Sequence, residues 1–179
     1  EQTVLDGQAV IDARVAERQA QLVAVERLLG AVRSITGALS LSDTLTRVTD
    51  AAGAVAPRAA LFVISNRAVD GTTPGDLQGW HAAGFGGASP TGLRLSDADR
   101  AARGLLDLAL ATGTPVSTAS EPAPAFARLP ADRAGLAVPI LVGGQSVAVL
   151  YADDATAAPP EAPASWPEAI QVLAAHASA

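Results

Sequence analysis

At 179 residues and 49% hydrophobic content, the chain can bury one substantial core and carry an accessory element, but it is too short for two full domains. Its net charge of −6, with twelve basic residues that are all Arg and never clustered, repels phosphate backbones and anionic membranes and speaks against nucleic-acid binding. The absence of Cys excludes disulfides, thiolate metal ligands and Cys nucleophiles.

No apolar run approaches the ~20 residues of a membrane span, and the opening EQTVLDGQAV lacks the basic start and apolar stretch of a signal peptide. A cytoplasmic protein is expected. The chain opens at Glu1 without Met and stops at Ala179 inside an apparent helix, which reads as a fragment of something longer.

From Val4 to Val32, apolar residues recur at steps of four and three: Val4, Ile11, Val15, Leu22, Val25, Leu29 and Val32, with Gln8 and Arg18 filling the gaps. This heptad seam predicts a long helix that pairs with a second copy, the charged Arg18 weakening the seam while favouring one register. The plainer alternative is an amphipathic helix lying on its own domain. A second helix is expected from Ser40, with Ser42 as N-cap, Leu45, Val48, Ala52 and Val55 on one face, and Pro57 as its stop.

Arg58 to Ser65 reads as a strand apolar on both faces, Asn66 to Gly75 as a polar loop, and Leu77 to Phe85 as a weaker strand carrying Trp80. The glycines of GFGG, 84–87, suggest a mobile connection; the run lacks the Lys-Ser/Thr ending of a phosphate loop. Ser96 to Thr112 predicts a helix capped by Ser96 and Asp99, burying Leu105, Leu106, Ala109 and Leu110, and closed by Gly113 and Pro115. Val116 to Thr118 is a candidate short strand, and Ala119 to Ala134 a Pro- and Ala-rich loop with Phe126 and Arg128.

GLAVPILVGGQSVAVLYADD, 135–154, is two apolar runs joined by Gly143-Gly144, a strand-turn-strand in which Val147, Val149 and Tyr151 point to one face and Ala148, Leu150 and Ala152 to the other. Neither face suits water, so the sheet needs a cover on both sides. Asp153 and Asp154 follow, readable as paired carboxylates or as a turn or cap. A Pro/Ala linker, 155–164, leads to a terminal helix through Ile170, Leu173 and Ala177, with Ser165 able to cap it and Glu168 to return the bond.

The order implies an α+β fold: an antiparallel sheet of five or six strands with helices mainly on one face, preceded by the long amphipathic helix. In this wording the chain resembles the GAF family of sensory and regulatory domains over Leu28 to Ala177. The residues that carry the resemblance are ALSLSDTLTRVTDAAGAV (38–55), LFVIS (61–65), LQGWHAAGF (77–85), ALATGTPV (109–116) and the closing hairpin. The resemblance implies an N-terminal signalling helix, 1–36, and a GAF-like domain, 37–179. It also implies a sheet whose helix-covered face dimerises and whose other face is roofed over a small-molecule pocket.

The pocket walls carried over from the family are Phe62, Val63, Trp80, His81, Phe85, Arg94, Phe126 and Arg128, with Arg94 and Arg128 either meeting an anionic group or lying on the surface. Members that bind cyclic nucleotides carry an Asn-Lys…Phe…Asp-Glu signature, which this Lys-free chain lacks. Bilin attachment, sulfoxide reduction and iron sites built on Cys are likewise ruled against by the missing Cys. His81 and His176 are the only His, and neither supports a metal site over a structural role. No catalytic constellation is present in local motif form. The expectation is therefore a non-catalytic sensory domain without a predicted cofactor. It would be a homodimer, bind a small molecule of unknown identity, contact neither nucleic acid nor membrane, and act on an effector outside the fragment. The rival is a ligand-free dimerising spacer whose cavity is filled by its own side chains.

Overall fold

Helical spacing of apolar residues without an interior Pro sustains α1 from Gln2 to Thr36, 35 residues and about 52 Å at 1.5 Å per residue. The computed structural model describes residues 2–65, 76–86, 104–155 and 165–178, with the side chains of α1 described from Val10 onward. Carbonyls left over at the end of α1 are taken up locally: the Thr36 hydroxyl donates to Val32 O at 2.9 Å, and Arg47 reaches back to Ser34 O at 2.7 Å.

Helix α2, Leu41–Val55, is capped by Ser40, whose Oγ accepts the Asp43 N–H at 3.1 Å while Asp43 Oδ2 accepts the Leu39 N–H at 3.2 Å. The expected cap, Ser42, lies inside the helix. Ser40 is the residue with extended backbone (φ −153, ψ 160) three places before a returning carboxylate, which is what a cap requires. Leu45, Val48 and Ala52 are buried as expected, whereas Val55 is only half-buried.

Among the described residues five strands form one antiparallel sheet: β1 Arg58–Ser65, β2 Asp76–Ala83, β3 Val116–Ser117, β4 Gly135–Val142 and β5 Gln145–Asp153, in the order β2-β1-β5-β4-β3. The β4–β5 turn is the Gly143-Gly144 pair, at φ 59 and 80, a two-residue hairpin turn open to glycine without steric cost. Strand β2 ends at Ala83, two residues short of the expected Phe85.

Two bulges break the simple alternation. Ile140 pairs with Ala148 and Leu141 with Ser146, so Val147 is skipped. It packs with the opposite core from Val149 and Tyr151, correcting the face expected for it. Likewise Leu61 pairs with His81 and Phe62 with Gly79, which leaves Trp80 as the unpaired residue of β2.

The sheet is covered on both sides. On one, Leu61, Ile140 and Leu150 meet α1, α2 and α4, Trp166–Ala177, through Ile35, Leu45, Val48, Ile170 and Leu173. On the other, Ala60, Phe62, Val149 and Tyr151 meet α3, Leu105–Thr112, through Leu105, Leu106 and Ala109. The α+β architecture with helices mainly on one face is thus observed. Two helix starts differ from expectation. Gly104 is extended (φ −65, ψ 173) and α3 begins only after it, so the helix expected from Ser96 does not run through; Ser96 and Asp99 lie outside the described residues. Leu110 is half-buried rather than buried. Ser165 precedes α4 but makes no side-chain cap, because its backbone (φ −89, ψ 10) is already near-helical and carries the hydroxyl out of reach.

Candidate functional site

Alternation along β1 and β5 puts Arg58, Ala60 and Phe62 beside Val149, Tyr151 and Asp153 on the α3-side face. At the end of that face Arg58 and Asp153 form a bidentate pair, Nε to Oδ1 and NH2 to Oδ2, both 2.7 Å. Asp153 is fully buried and the Arg58 side chain 18% exposed. The same guanidinium donates to Ala127 O at 2.9 Å and stacks over the Phe85 ring at 4.7 Å. Arg58 thereby ties the start of β1 to the end of β5, to Phe85 two residues past β2, and to a single 3₁₀ turn, Ala125–Ala127. Asp153 Oδ1 also accepts the Ala155 N–H, and Asp154 Oδ1 accepts the Ala134 N–H. The two acids therefore serve an ion pair and turns, the structural alternative stated above.

The 3₁₀ turn delivers Phe126 onto the sheet. Its ring lies 5.1 Å from Phe62, 5.4 Å from Tyr151 and 6.1 Å from Phe85, tilted and edge-on contacts suited to ring quadrupoles. Arg128 closes the turn in the left-handed region, φ 44 and ψ 45, a conformation costly for a residue with a side chain.

Beneath this turn lies Tyr151, fully buried, with a hydroxyl that is close to the Asp153 carboxylate but in hydrogen-bond geometry with no group among the described residues. Burial pushes its pKa upward, with the Asp153 carboxylate adding to the effect, so the group is a neutral phenol. It has room because residue 135 is Gly: a Cβ there would sit 3.0 Å from the Tyr151 oxygen, 2.9 Å from Thr118 Cγ2 and 3.2 Å from Leu129 Cδ2. A buried, unpaired hydroxyl costs on the order of 1–3 kcal/mol.

Elsewhere, an open groove of about 540 Å³ runs past Leu108, Thr112, Thr114, Ser117, Ser120 and Gln171. Thr114 bonds Thr112, Thr112 bonds Leu108 O, Ser120 bonds Ser117 O and Gln171 bonds Pro167 O, so these four side chains already have partners within the protein. Among the described residues no group of His, Asp and Glu could hold a metal ion.

A sequence model of the GAF domain family matches residues 19–179, most of the chain. The chain belongs to the GAF domain family. Solved GAF structures share its fold at low identity. The GAF domain of an Acinetobacter phosphoenolpyruvate-protein phosphotransferase is 17% identical, with TM-score 0.59 and coverage of 87% of this chain and 90% of that one. The nlh2 GAF domain of A. aeolicus, in an inactive state, is 14% identical, with TM-score 0.59 and coverage of 88% and 94%. A free methionine-R-sulfoxide reductase from Neisseria meningitidis, solved with its substrate, is 16% identical, with TM-score 0.57 and coverage of 84% and 83%. A comparison with curated proteins finds no match. GAF domains commonly serve as sensory or regulatory units of signalling proteins and are generally regulatory rather than catalytic, although the reductase shows that some relatives of this fold are enzymes.

Of the pocket residues expected for this GAF domain, the fold brings together Phe62, Phe85 and Phe126. It does not bring Val63, which faces the α1/α2/α4 core, nor His81, whose Nε2 lies 2.8 Å from Asp50 Oδ1 on α2. Trp80 sits in its bulge, 38% exposed and in neither core. The Arg128 side chain is exposed, and Arg94 lies outside the described residues. Arg58, Tyr151 and Asp153 were not singled out as site residues. The strand alternation of Tyr151 toward the Phe62 face was the available signal.

Along the expected dimer seam, Ile11, Val15, Leu22, Val25 and Leu29 are each more than half exposed. Val32 instead packs, with Leu28 and Ala31, on the domain's own core, and the Val4 side chain lies outside the described set. No helix among the described residues is long and apolar enough to cross a membrane.

Proposed function

We propose that this GAF domain is a non-catalytic cytoplasmic sensory module that pairs with a second copy along α1, takes a small neutral molecule on its α3-side face, and passes the change through its helices to an effector outside this sequence. The observation that carries the reading is the exposed stripe Ile11, Val15, Leu22, Val25 and Leu29. Among the described residues its own domain anchors α1 through the last turns, at Leu28, Ala31, Val32 and Ile35. A helix that leaves a row of apolar side chains in water gains by covering it, and the four-three spacing suits a copy of itself.

Two contacts support relay from the sheet to that helix. Ser178, just past α4, accepts the Leu141 N–H of β4 at 2.9 Å. His176 Nε2 lies 2.8 Å from Thr36 Oγ1 at the end of α1, a hydrogen bond between the two helices.

The ligand reading is supported by the unpartnered Tyr151 hydroxyl. The spacer reading is favoured by a different observation, the Phe126 ring packed into the place a ligand would occupy. Native mass spectrometry of the purified chain, beside a denatured sample, tests both. A dimer carrying extra mass supports sensing, a bare dimer supports the spacer, and a monomer at all concentrations sinks the pairing of α1.

A further inference from the structure

We propose that Phe126 is a built-in occupant of the ligand site, and that the molecule which displaces it is a small, uncharged, planar ring compound bearing one hydrogen-bonding group for the Tyr151 hydroxyl. The inference rests on the reading of the α3-side face as a ligand site and adds what the site takes and how it is held shut.

Shape comes first. The Phe126 ring is lodged among three others, Phe62, Phe85 and Tyr151, with centroid separations of 5.1 to 6.1 Å. Withdrawing it leaves a box with aromatic walls, sized for one ring and suited to stacked or edge-on contact with another π-system. An apolar cavity of that kind stays dry and takes up small aromatic molecules.

Polarity comes second. The charged side chains against the ring cluster, Arg58 and Asp153, neutralise each other with two short bonds, and Asp154, whose charge also reaches Tyr151, accepts the Ala134 N–H. An anion would have to take Arg58 from a fully buried carboxylate, and a cation would have to take Asp153 from its guanidinium, either of which strands a buried charge. The unspent hydrogen-bonding capacity is the Tyr151 hydroxyl, which can both donate and accept. One polar group on a neutral ring matches that supply.

Mobility comes third. Phe126 rides on a turn closed by two bonds, Ala127 N–H to Pro124 O at 3.0 Å and Arg128 N–H to Ala125 O at 3.3 Å. It ends in the left-handed Arg128. Relaxing Arg128 to a negative φ would release backbone strain, whereas the ring contacts and the Arg58 bond to Ala127 O hold the turn closed. A closed majority state lowers apparent affinity by the open fraction, and whatever loosens Phe126 raises it.

The test compares phenol with toluene, rings of similar shape that differ in one hydroxyl, by calorimetry and ligand-observed NMR on the full chain. The variants are wild type, Phe126→Ala and Phe126→Leu, each checked for folding by circular dichroism; Phe126→Leu keeps apolar volume should Phe126→Ala fail to fold. Phenol is expected to bind Phe126→Ala at least tenfold tighter than wild type, with Phe126→Leu between. Tyr151→Phe added to the tighter-binding Phe126 variant is expected to erase the preference for phenol over toluene. Equal binding by wild type and both variants leaves a ligand site but overturns Phe126 as its occupant. A phenol preference that survives Tyr151→Phe overturns the polar anchor. No binding by any folded variant overturns the proposal, while the ligand reading itself stands or falls on retained mass in the native mass spectrum.

Discussion

In the proposed dimer Arg18 occupies a seam position between Val15 and Leu22, and in a parallel, in-register pair it faces its own copy. Arg18→Leu replaces this layer with a leucine pair. Fully burying one Leu is worth about 1.5–3 kcal/mol. The neighbouring seam residues Val15 and Leu22 are 58% and 65% exposed in the isolated chain, so pairing recovers roughly half to two-thirds of that, about 1–2 kcal/mol per chain. Two chains give about 2–4 kcal/mol, and at 1.4 kcal/mol per factor of ten the dimer tightens by about 30- to 1000-fold. Sedimentation velocity over a concentration series reads this directly as a shift in midpoint. The wild-type dimer should also tighten with added salt if the two Arg18 face each other, since screening relieves like charges, and the variant should lose that salt response. An unchanged midpoint in Arg18→Leu would falsify the placement of Arg18 in the seam. A tighter dimer whose salt response persists would place Arg18 in the seam but away from its own copy.

Four further outcomes follow from the site and the helix starts. Tyr151→Phe removes an unpaired buried hydroxyl and is expected to stabilise the fold by about 1 kcal/mol, about 2–4 °C in Tm; a lower Tm by calorimetry would mean that the hydroxyl has a partner. Asp153→Ala strands the Arg58 guanidinium and frees the 3₁₀ turn it holds, and is expected to cost about 3–5 kcal/mol, read by urea denaturation. Ser40→Ala removes the α2 cap at about 1 kcal/mol. The companion carboxylate Asp43 has its pKa lowered by the Arg47 side-chain bond first, with the Leu39 N–H assisting. Because the folded value lies below the unfolded one, its stabilisation is present above the ordinary aspartate range and lost as pH falls through the lower folded value. Asp43→Asn should flatten the acid limb of the stability profile below about pH 4, and a profile identical to wild type would exclude that contribution.

The elements most legible in the sequence were those set by period and by strong punctuation. The four-three seam marked α1, and Gly143-Gly144 between two Val-rich runs marked the β4–β5 hairpin, since both signals are local. Features decided by tertiary contact were not legible. The Val147 and Trp80 bulges reverse or unpair a side chain without any local mark, which is why Val147 was assigned the wrong face and Trp80 was placed in the site. Ser40 and Ser42 compete for one cap with nearly equal local credentials, and the returning Asp43 carboxylate decides between them. The site followed the same rule. Phe62, Phe85 and Phe126 follow from the resemblance to the family, whereas Arg58 and Asp153, 95 residues apart, become partners only when β1 and β5 pair.

A change at Phe126 reaches α1 only if something rigid joins them, and the weakest joint on the route is the bond between His176 and Thr36. The turn is tied to the sheet end by Arg58 and Asp153, and the sheet is tied to the end of α4 by Ser178. From α4 to the last turn of α1 the polar contact is His176 Nε2 to Thr36 Oγ1. A bond of this kind is worth about 1 kcal/mol net, so the share of coupling it carries between ligand and dimer is bounded at about fivefold in affinity. Thr36→Val keeps the shape and removes the oxygen. In a Phe126→Ala background, phenol should shift the dimer midpoint, and adding Thr36→Val should reduce that shift by up to fivefold while leaving the affinity for phenol at low protein concentration unchanged. If the shift survives intact, coupling runs through the apolar contacts of α4 with α1 and α2 rather than through this bond. Because the coupling is reciprocal, the same experiment has an internal control: dimer-stabilised protein must bind phenol tighter or weaker by the factor that phenol shifts the dimer.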